Sequence, residues 1–243
     1  MLPSKGPNGD SMTLETKKKA VVLLSGGLDS TTCLAIARQG GFSLFAQSFR
    51  YGQRHLRELD MARQLGIHFG VEQHIVVEFD MRSIGGSALT GSGDVPKNVP
   101  LHEIGRSIPP TYVPARNTIF LSFAIAWAEV IGAQDIFIGV NAQDYSGYPD
   151  CRPAYIHAFE RVAELGTKTG NEDRPFRIHT PLIELTKAEI IQKGVALGVD
   201  FSMTHSCYDP PPDRPACGQC ESCILRQKGF MEAGTKDPLE EMA

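Results

Sequence analysis

The sequence lacks the features that define several large classes of protein. No apolar stretch in the 243 residues reaches the ~18 residues that a membrane-crossing helix needs, so we expect no contact with a membrane. The 24 Lys and Arg against 28 Asp and Glu give a net charge of −4 without a long basic run, which argues against binding to nucleic acid. The Walker pattern G-x-x-x-x-G-K-[ST] is also missing, which excludes a very common phosphate-binding loop.

The N-terminal segment and the cysteines bear on domain organisation and compartment. The first 16 residues are rich in Pro, Gly and Ser and have no apolar signal-peptide core, so we expect residues 1–17 to be a disordered extension. Four of the six Cys lie near the C-terminus with metal-ligand spacing, which favours a reducing cytoplasm over disulfides. The length fits one α/β domain, expected over residues 18–200, with residues 201–243 as a zinc-binding segment packed on it.

The stretch Val21–Ser30 (VVLLSGGLDS) carries the strongest functional signal. Four apolar residues predict a strand, and the apolar residues after the Ser/Gly loop predict a helix over Thr31–Gln39. Such a junction offers an anion the unpaired N–H groups and the positive end of the helix dipole. The carboxylate of Asp29 fits beside a phosphate only if a divalent cation such as Mg²⁺ bridges them. The alternative is an ordinary Gly turn with Ser as the helix cap. The residues predicted to bind the phosphates are Leu24, Ser25, Gly26, Gly27, Leu28, Asp29, Ser30 and Thr31.

Alternating strands and helices are predicted along the rest of the chain. They imply an α/β fold, with a parallel sheet, right-handed crossovers and helices on both faces. Residues 82–110 lack periodicity and are expected to form a mobile loop near the site, or an idle insertion. Strands are predicted at Val21–Leu24, Ser43–Phe49, His74–Phe79, Asp135–Val140 and Arg177–Thr180. Helices are predicted at Thr31–Gln39, Gln53–Leu65 with Gly66 as the stop, Pro114–Ile131 as a buried helix, Ala154–Gly166, and from Thr186 onward, where Thr186 and Glu189 have the spacing of a capping box.

Two cations and one polar loop are candidates for the same site. Arg116 and Lys187 lie in first turns of predicted helices, where the dipole disfavours a cation, so we expect each to meet an anion or a carboxylate. A surface salt bridge for Arg116 and an exposed, idle Lys187 are the alternatives. The loop after the fourth strand is crowded with hydrogen-bonding and aromatic groups that suit a flat heterocycle, although it could simply cap the next helix. Its candidates for substrate binding are Asn141, Asp144, Tyr145, Tyr148, Asp150, Cys151 and Arg152.

The clustered cysteines follow a metal-ligand pattern. Cys207, Cys217, Cys220 and Cys223 are spaced as C-x9-C-x2-C-x2-C. Four thiolates complete a tetrahedral Zn²⁺ site without an open position, which makes the site structural. An iron–sulfur cluster is the alternative. Of the remaining cysteines, Cys151 is a candidate nucleophile.

Several blocks together resemble a known family. The loop Ser25–Ser30 resembles the signature of the ATP pyrophosphatases (PP-loop proteins), which hold the pyrophosphate end of ATP while the α-phosphate is attacked. With Gly139–Pro153 and the cysteine spacing added, the chain resembles the family of 7-cyano-7-deazaguanine synthases, the preQ0-forming enzymes of queuosine biosynthesis. Ser48–Glu58 and Tyr112–Thr118 are similar to further blocks of that family, and the resemblance runs from about Ala20 to Phe230.

The resemblance implies an ATP-dependent carbon–nitrogen ligase that turns 7-carboxy-7-deazaguanine and ammonia into the nitrile through two adenylations. It implies catalytic roles for Asp29, Arg116 and Lys187, bound ATP, Mg²⁺ and one structural zinc per chain, and a homodimer. Ammonia would enter free, and His55 and His205 are candidates for the base that deprotonates ammonium. Another adenylating amidotransferase, a tRNA thiolase and a zinc-ribbon binding module remain open alternatives.

Overall fold

The computed structural model describes residues 17–142, 148–172 and 174–240. The N-terminal extension and the candidates Asp144 and Tyr145 therefore lie outside the described residues. None of the helices in these ranges is long and apolar enough to cross a membrane.

A five-stranded parallel sheet organises the described residues, with the strand order β3-β2-β1-β4-β5. The central strand β1 pairs with β2 on one side and with β4 on the other. This confirms the predicted α/β class and parallel sheet. The fourth strand is three residues shorter than predicted, because Gly139 lies close against the backbone of Asp29 and the chain leaves the sheet there. The strands are β1 (Lys19–Leu23), β2 (Ser43–Arg50), β3 (Gln73–Glu78), β4 (Asp135–Phe137) and β5 (Arg177–His179).

The helices differ from the prediction mainly at their ends. Gly66 does not stop the second helix: it lies inside the helix, where an added Cβ would come within 3.3 Å of the His74 ring, and the helix continues to His68. The third helix begins at Arg116 because Ala115 has a left-handed conformation with φ 54°. The short α5 and the longer α7 were not expected from the sequence. The helices are α1 (Leu28–Gln39), α2 (Arg57–His68), α3 (Arg116–Ile131), α4 (Pro153–Gly166), α5 (Lys168–Asn171), α6 (Lys187–Ala196) and α7 (Glu221–Ala233).

Apolar side chains of the sheet pack on both of its faces. Alternate residues of a strand point to opposite sides. Val21 and Leu23 join a core that includes residues of α3 and α4. Val22 and Leu24 join a second core with residues of α1 and α6. Helices on both faces are thus confirmed, and the strand that leads into the Ser/Gly loop is buried from both sides.

Helix α3 is less buried than its composition suggests. Its inner face is closed by Leu121, Ala124 and Ala128, which are fully buried. Its outer face leaves Phe123 half-exposed and Val130 83% exposed. The prediction of a buried helix therefore holds for one face only, because the sheet covers only one side of it.

The C-terminal segment and the long loop pack against the same domain. Helix α7 lies on α6, and a Cβ on Gly229 would approach Cγ of Lys187 to 2.3 Å, so this crossing requires glycine. Residues 82–110 contain no helix or strand, but Lys97 forms an isolated bridge with Cys220 and an ion pair of 2.8 Å with Asp209. The loop is therefore joined to the cysteine-containing segment.

Candidate active site

A cleft of about 1290 Å³ lies at the carboxyl ends of β1, β2 and β4. In parallel sheets this edge is where ligands bind, because the loops that follow the strands converge there. Five segments line the cleft: the β1–α1 loop, the β2–α2 loop with the start of α2, the start of α3, the region after β4, and the C-terminal segment together with Lys187. The cleft is lined by both apolar and polar side chains, as is usual for a small-molecule site.

The β1–α1 loop lines the cleft and is held in shape by hydrogen bonds among its own residues. Gly26 has φ 84°, and a Cβ there would lie 2.2 Å from the carbonyl oxygen of Glu58, so only glycine fits. The hydroxyls of Ser30 and Thr31 donate to the carbonyl of Gly27, at 3.0 and 2.8 Å. The Ser25 hydroxyl lies 3.0 Å from that of Ser30 and belongs to an exposed residue. The backbone N–H groups of Ser25 and Gly27 donate to the hydroxyls of Ser30 and Ser25 inside the loop. An anion would therefore meet the exposed Ser25 hydroxyl and the first N–H groups of α1, whereas the Thr31 hydroxyl is used inside the loop.

Asp29 and Lys187 meet across the mouth of this loop. The Lys187 ammonium donates to both carboxylate oxygens, at 2.7 and 2.8 Å, and Lys187 is only 7% exposed. Helix α6 starts with the predicted capping box of Thr186 and Glu189, which fixes Lys187 as the first helical residue. The alternative of an exposed, idle lysine is therefore wrong. The contact with a phosphate stays a prediction.

Arg116 faces the cleft from the first position of α3. Burial disfavours its charge, but the oxygens of Tyr51, Tyr148 and Tyr208 and the Asp150 carboxylate together raise the pKa of Arg116, so it stays charged. Within the described ranges, no carboxylate lies at ion-pair distance from it, which argues against the surface salt bridge. A guanidinium in a cleft without a carboxylate partner suits an anionic ligand.

Of the substrate-binding candidates after β4, some line the cleft and others do not. Tyr148 and Cys151 line the cleft, as does Asn141, whose amide also donates to the carbonyls of Leu182 and Leu185. Asp150 is turned to the start of α3: one carboxylate oxygen accepts from the Asn117 backbone N–H at 3.2 Å, and the other has no partner among the described residues. Arg152 is exposed and lies outside the cleft lining.

Burial makes Cys151 a poor nucleophile. It raises the pKa of the Cys151 thiol to about 12, and the neighbouring Asp150 adds to this rise. The thiolate is the reactive form of cysteine, so this group stays protonated and inert at neutral pH.

The two histidines named as bases share one acceptor. His55 and His205 each place Nε2 at the carbonyl oxygen of Cys207, at 2.9 and 3.0 Å. A carbonyl only accepts, so both Nε2 atoms carry hydrogen. Burial lowers the pKa of both rings, that of His205 to about 4, so both are neutral at neutral pH. His205 lines the cleft and His55 does not.

Several cleft residues were missed from the sequence because they lie in separate segments. They have no helical or metal-ligand pattern, and only the resemblance of Ser48–Glu58 to a family block drew attention to part of them. Burial raises the pKa of the Glu58 carboxyl to about 7, against the opposing charge of Arg116. The missed residues include Gln47, Tyr51, Gln53, Glu58, Ser206, Tyr208, Ser222 and Arg226.

The four clustered cysteines converge on one point. Their sulfur atoms all lie within 4.8 Å of one another, with Cys220 and Cys223 at 3.5 Å and Cys217 and Cys223 at 4.0 Å. Tetrahedral zinc bound to sulfur at ~2.3 Å separates its ligands by about 3.8 Å, so the donor set fits. Backbone N–H groups of Cys217 and Cys220 point at the sulfurs of Cys207 and Cys217, which supports thiolate charge there. The predicted metal site is geometrically complete.

The fold and the cleft define an α/β protein with a Ser/Gly loop at a β–α junction and four cysteines arranged as metal ligands. The model of the family described as queuosine biosynthesis protein QueC matches residues 19–234, and the chain belongs to this family. It is 62% identical to 7-cyano-7-deazaguanine synthase of Citrifermentans bemidjiense over 224 residues, which are 92% of this chain and 98% of that protein. It is 65% identical to the synthase of the same name from Geobacter metallireducens, over 91% of this chain and 92% of that one. Among solved structures, NMN synthetase from Francisella tularensis matches 93% of this chain and 82% of its own, with 17% identity and a TM-score of 0.48.

Proposed function

We propose that this protein converts 7-carboxy-7-deazaguanine and ammonia into 7-cyano-7-deazaguanine at the expense of ATP, in queuosine biosynthesis. The observation that carries the proposal is the Ser25–Ser30 loop with the Asp29–Lys187 pair at the mouth of a cleft of about 1290 Å³. The family membership and the relatives at 62 and 65% identity support the same substrate.

The loop and its ion pair suit the nucleotide. The amides of the loop and the Ser25 hydroxyl would hold the β- and γ-phosphates, while Lys187 neutralises charge that builds up on the α-phosphate. The substrate carboxylate oxygen forms a bond to the α-phosphorus, and the bond to pyrophosphate breaks with its electron pair on pyrophosphate. The acid then carries AMP, a far better leaving group than an oxide. Leu24 and Leu28 line the cleft beside this loop, Thr31 is buried within the loop, and all three remain proposed ATP contacts.

The opposite half of the cleft suits the deazaguanine. Arg116 would neutralise the substrate carboxylate before it is adenylated, and Tyr148 would pack on the ring. Asn141, Asp144, Tyr145, Asp150, Cys151 and Arg152 remain proposed substrate contacts. Ammonia displaces AMP to give the amide. A second ATP activates the amide oxygen, and loss of that oxygen with AMP and of two N–H protons leaves the nitrile.

Two metals complete the proposal. Mg²⁺ would be held by Asp29 beside the phosphates, where it supplies charge neutralisation. Zinc rather than an iron–sulfur cluster is proposed for the four cysteines, one per chain, because the sulfur separations match a single tetrahedral ion.

The assembly and location remain proposals as well. A homodimer is supported by the outer face of α3, where Phe123 and Val130 are exposed on the same side. The proposals of a cytoplasmic location and of no nucleic-acid partner rest on the composition of the sequence alone. Sedimentation equilibrium of the protein and of a Val130→Glu variant tests the dimer: the variant should be monomeric.

Transfer of oxygen tests the reaction. The 7-carboxy substrate is labelled with ¹⁸O in its carboxylate and supplied with ATP and ammonium. AMP should carry the label and nitrile should form in step with it. Nitrile formation with unlabelled AMP contradicts adenylation, and ATP turnover that requires tRNA contradicts the substrate.

A further inference from the structure

The proposed reaction needs a proton acceptor, because ammonium has no free electron pair and only ammonia attacks a carbonyl. The cleft lining carries two carboxyl groups in the described part of the chain, those of Asp29 and Glu58. Asp29 holds the Lys187 ammonium with both oxygens. Both Asp29 oxygens are therefore already occupied, beside the loop that would hold the phosphates.

The remaining titratable groups of the cleft are poor acceptors of this proton. His205 binds the Cys207 carbonyl through Nε2, and its backbone N–H donates to the Gly26 carbonyl. Cys151 is a buried thiol that receives the Asn117 amide. Tyr148 is buried and lies 3.3 Å from the Thr111 hydroxyl. None of these groups presents a negative charge to the cleft.

Glu58 differs from all of them in its surroundings. It lies in the first turn of α2, where its own carbonyl contacts the phosphate-binding loop at Gly26. Its carboxyl group has no hydrogen bond or ion pair among the described residues, and the titratable groups that face it are the Arg116 guanidinium from α3 and the neutral Tyr51 hydroxyl. The adjacent Arg57 is turned away, to the carbonyls of Pro211, Pro212 and Arg214.

We propose that the Glu58 carboxylate binds ammonium in the cleft and takes its proton, and so delivers ammonia to the adenylated substrate. The inference rests on the proposed function above. One proton passes from ammonium to Glu58, and the freed electron pair forms the carbon–nitrogen bond. The bond from the carbonyl carbon to the AMP oxygen breaks with its electrons on AMP, and the surplus proton of the new amide goes to solvent.

The position of Glu58 suits both halves of this step. It is next to the loop that would hold the nucleotide and opposite Arg116, which would hold the other reactant. Burial, which raises its pKa to about 7, makes it a stronger base than an ordinary carboxylate while it is still largely ionised at slightly alkaline pH.

The test separates deprotonation from adenylation. Glu58→Gln is compared with Asp60→Asn, which removes an exposed carboxylate two residues further along the same helix. Exchange of labelled pyrophosphate into ATP, with the 7-carboxy substrate and no nitrogen source, measures adenylation. Amide formation is then measured with ammonium and with hydroxylamine, which is mostly unprotonated at neutral pH and needs no base.

In E58Q, the rates of pyrophosphate exchange and of the hydroxylamine reaction should stay within about 3-fold of those of the unaltered protein. The rate of amide formation with ammonium should fall about 10²-fold. Its ammonium rate should follow free ammonia as the pH rises, whereas the unaltered protein should gain rate as Glu58 ionises near pH 7. Asp60→Asn should change neither rate. An E58Q variant that loses both nucleophiles equally, or loses adenylation, overturns this inference alone. Absence of exchange in the unaltered protein overturns the proposed function and this inference with it.

Discussion

The two ends of the cleft are built in opposite ways. The end proposed to hold the phosphates, here called the phosphate end, is one contiguous loop, Ser25–Ser30, completed by a single distant side chain, Lys187. The end proposed to hold the deazaguanine, here called the substrate end, takes Tyr51 from one segment, Arg116 from another, Tyr148 from a third and Tyr208 from beside the cysteine cluster. A contiguous loop keeps its geometry through its own backbone, whereas a composite wall keeps its geometry only if every supporting segment stays folded.

The metal site should show this dependence most strongly. Loss of the metal should remove about 10 kcal/mol of local stability, and Tyr208 and Ser222 should leave the cleft wall with it. Cys220→Ser should therefore lose bound zinc and all nitrile formation, as measured by elemental analysis and activity. Cys33→Ala is the control, since this fully buried cysteine lies on α1, away from the cluster. Iron and sulfide in place of zinc would contradict the assignment.

Removal of Lys187 should be the largest effect at the phosphate end. Lys187→Met takes the partner from Asp29 and the positive charge from the site of adenylation, so pyrophosphate exchange should fall by about 10³-fold. Lys193→Met, on the exposed side of the same helix, should have no such effect. If Lys187→Met retains exchange, the pair has a structural role only.

A methyl group at Gly26 should disturb the contiguous loop itself. Gly26→Ala combines φ 84° with a Cβ 2.2 Å from the Glu58 carbonyl, so the loop must shift, and adenylation should fall about 10²-fold. Gly41→Ala is a matched control, because Gly41 has φ 79° but nothing within 4 Å of the added Cβ. It should cost about 1 kcal/mol of stability, measured by thermal unfolding, and leave activity unchanged. Equal losses of activity in both variants would contradict a specific role for the loop.

The same contrast explains what the sequence could predict. The loop, the capping box before Lys187 and the spacing of the four cysteines are local patterns, and each was predicted with its residues. Glu58 and Arg226 belong to no local pattern: one enters the cleft because α2 begins beside Gly26, the other because the unpredicted α7 packs on α6. Arg226 binds Asp237 with two hydrogen bonds of 2.7 and 2.8 Å, a buried contact between segments that only the folded chain brings together.

Asp150 and Arg152 show the limit of a prediction made from loop composition. Both were chosen because they lie in a loop crowded with polar residues after a strand. Asp150 turns one oxygen to the start of α3, and Arg152 points outward at the start of α4. Sequence proximity to a site does not fix the direction of a side chain, because the 3-10 turn Pro149–Cys151 and the start of α4 at Pro153 orient these two side chains differently.

The smallest effect is expected at Cys151, which tests whether the substrate end supplies a covalent group. Cys151→Ser keeps the size of the side chain and removes the thiol, and it should change the rate of nitrile formation by about 3-fold or less. Burial holds the pKa of this thiol at about 12, so the unaltered protein should also resist iodoacetamide at neutral pH. Rapid inactivation that substrate prevents, with loss of more than about 10²-fold in the variant, would instead make Cys151 a nucleophile. The substrate end would then form a covalent intermediate, whereas the phosphate end would only bind and neutralise charge. The two ends would differ in mechanism as well as in how they are built.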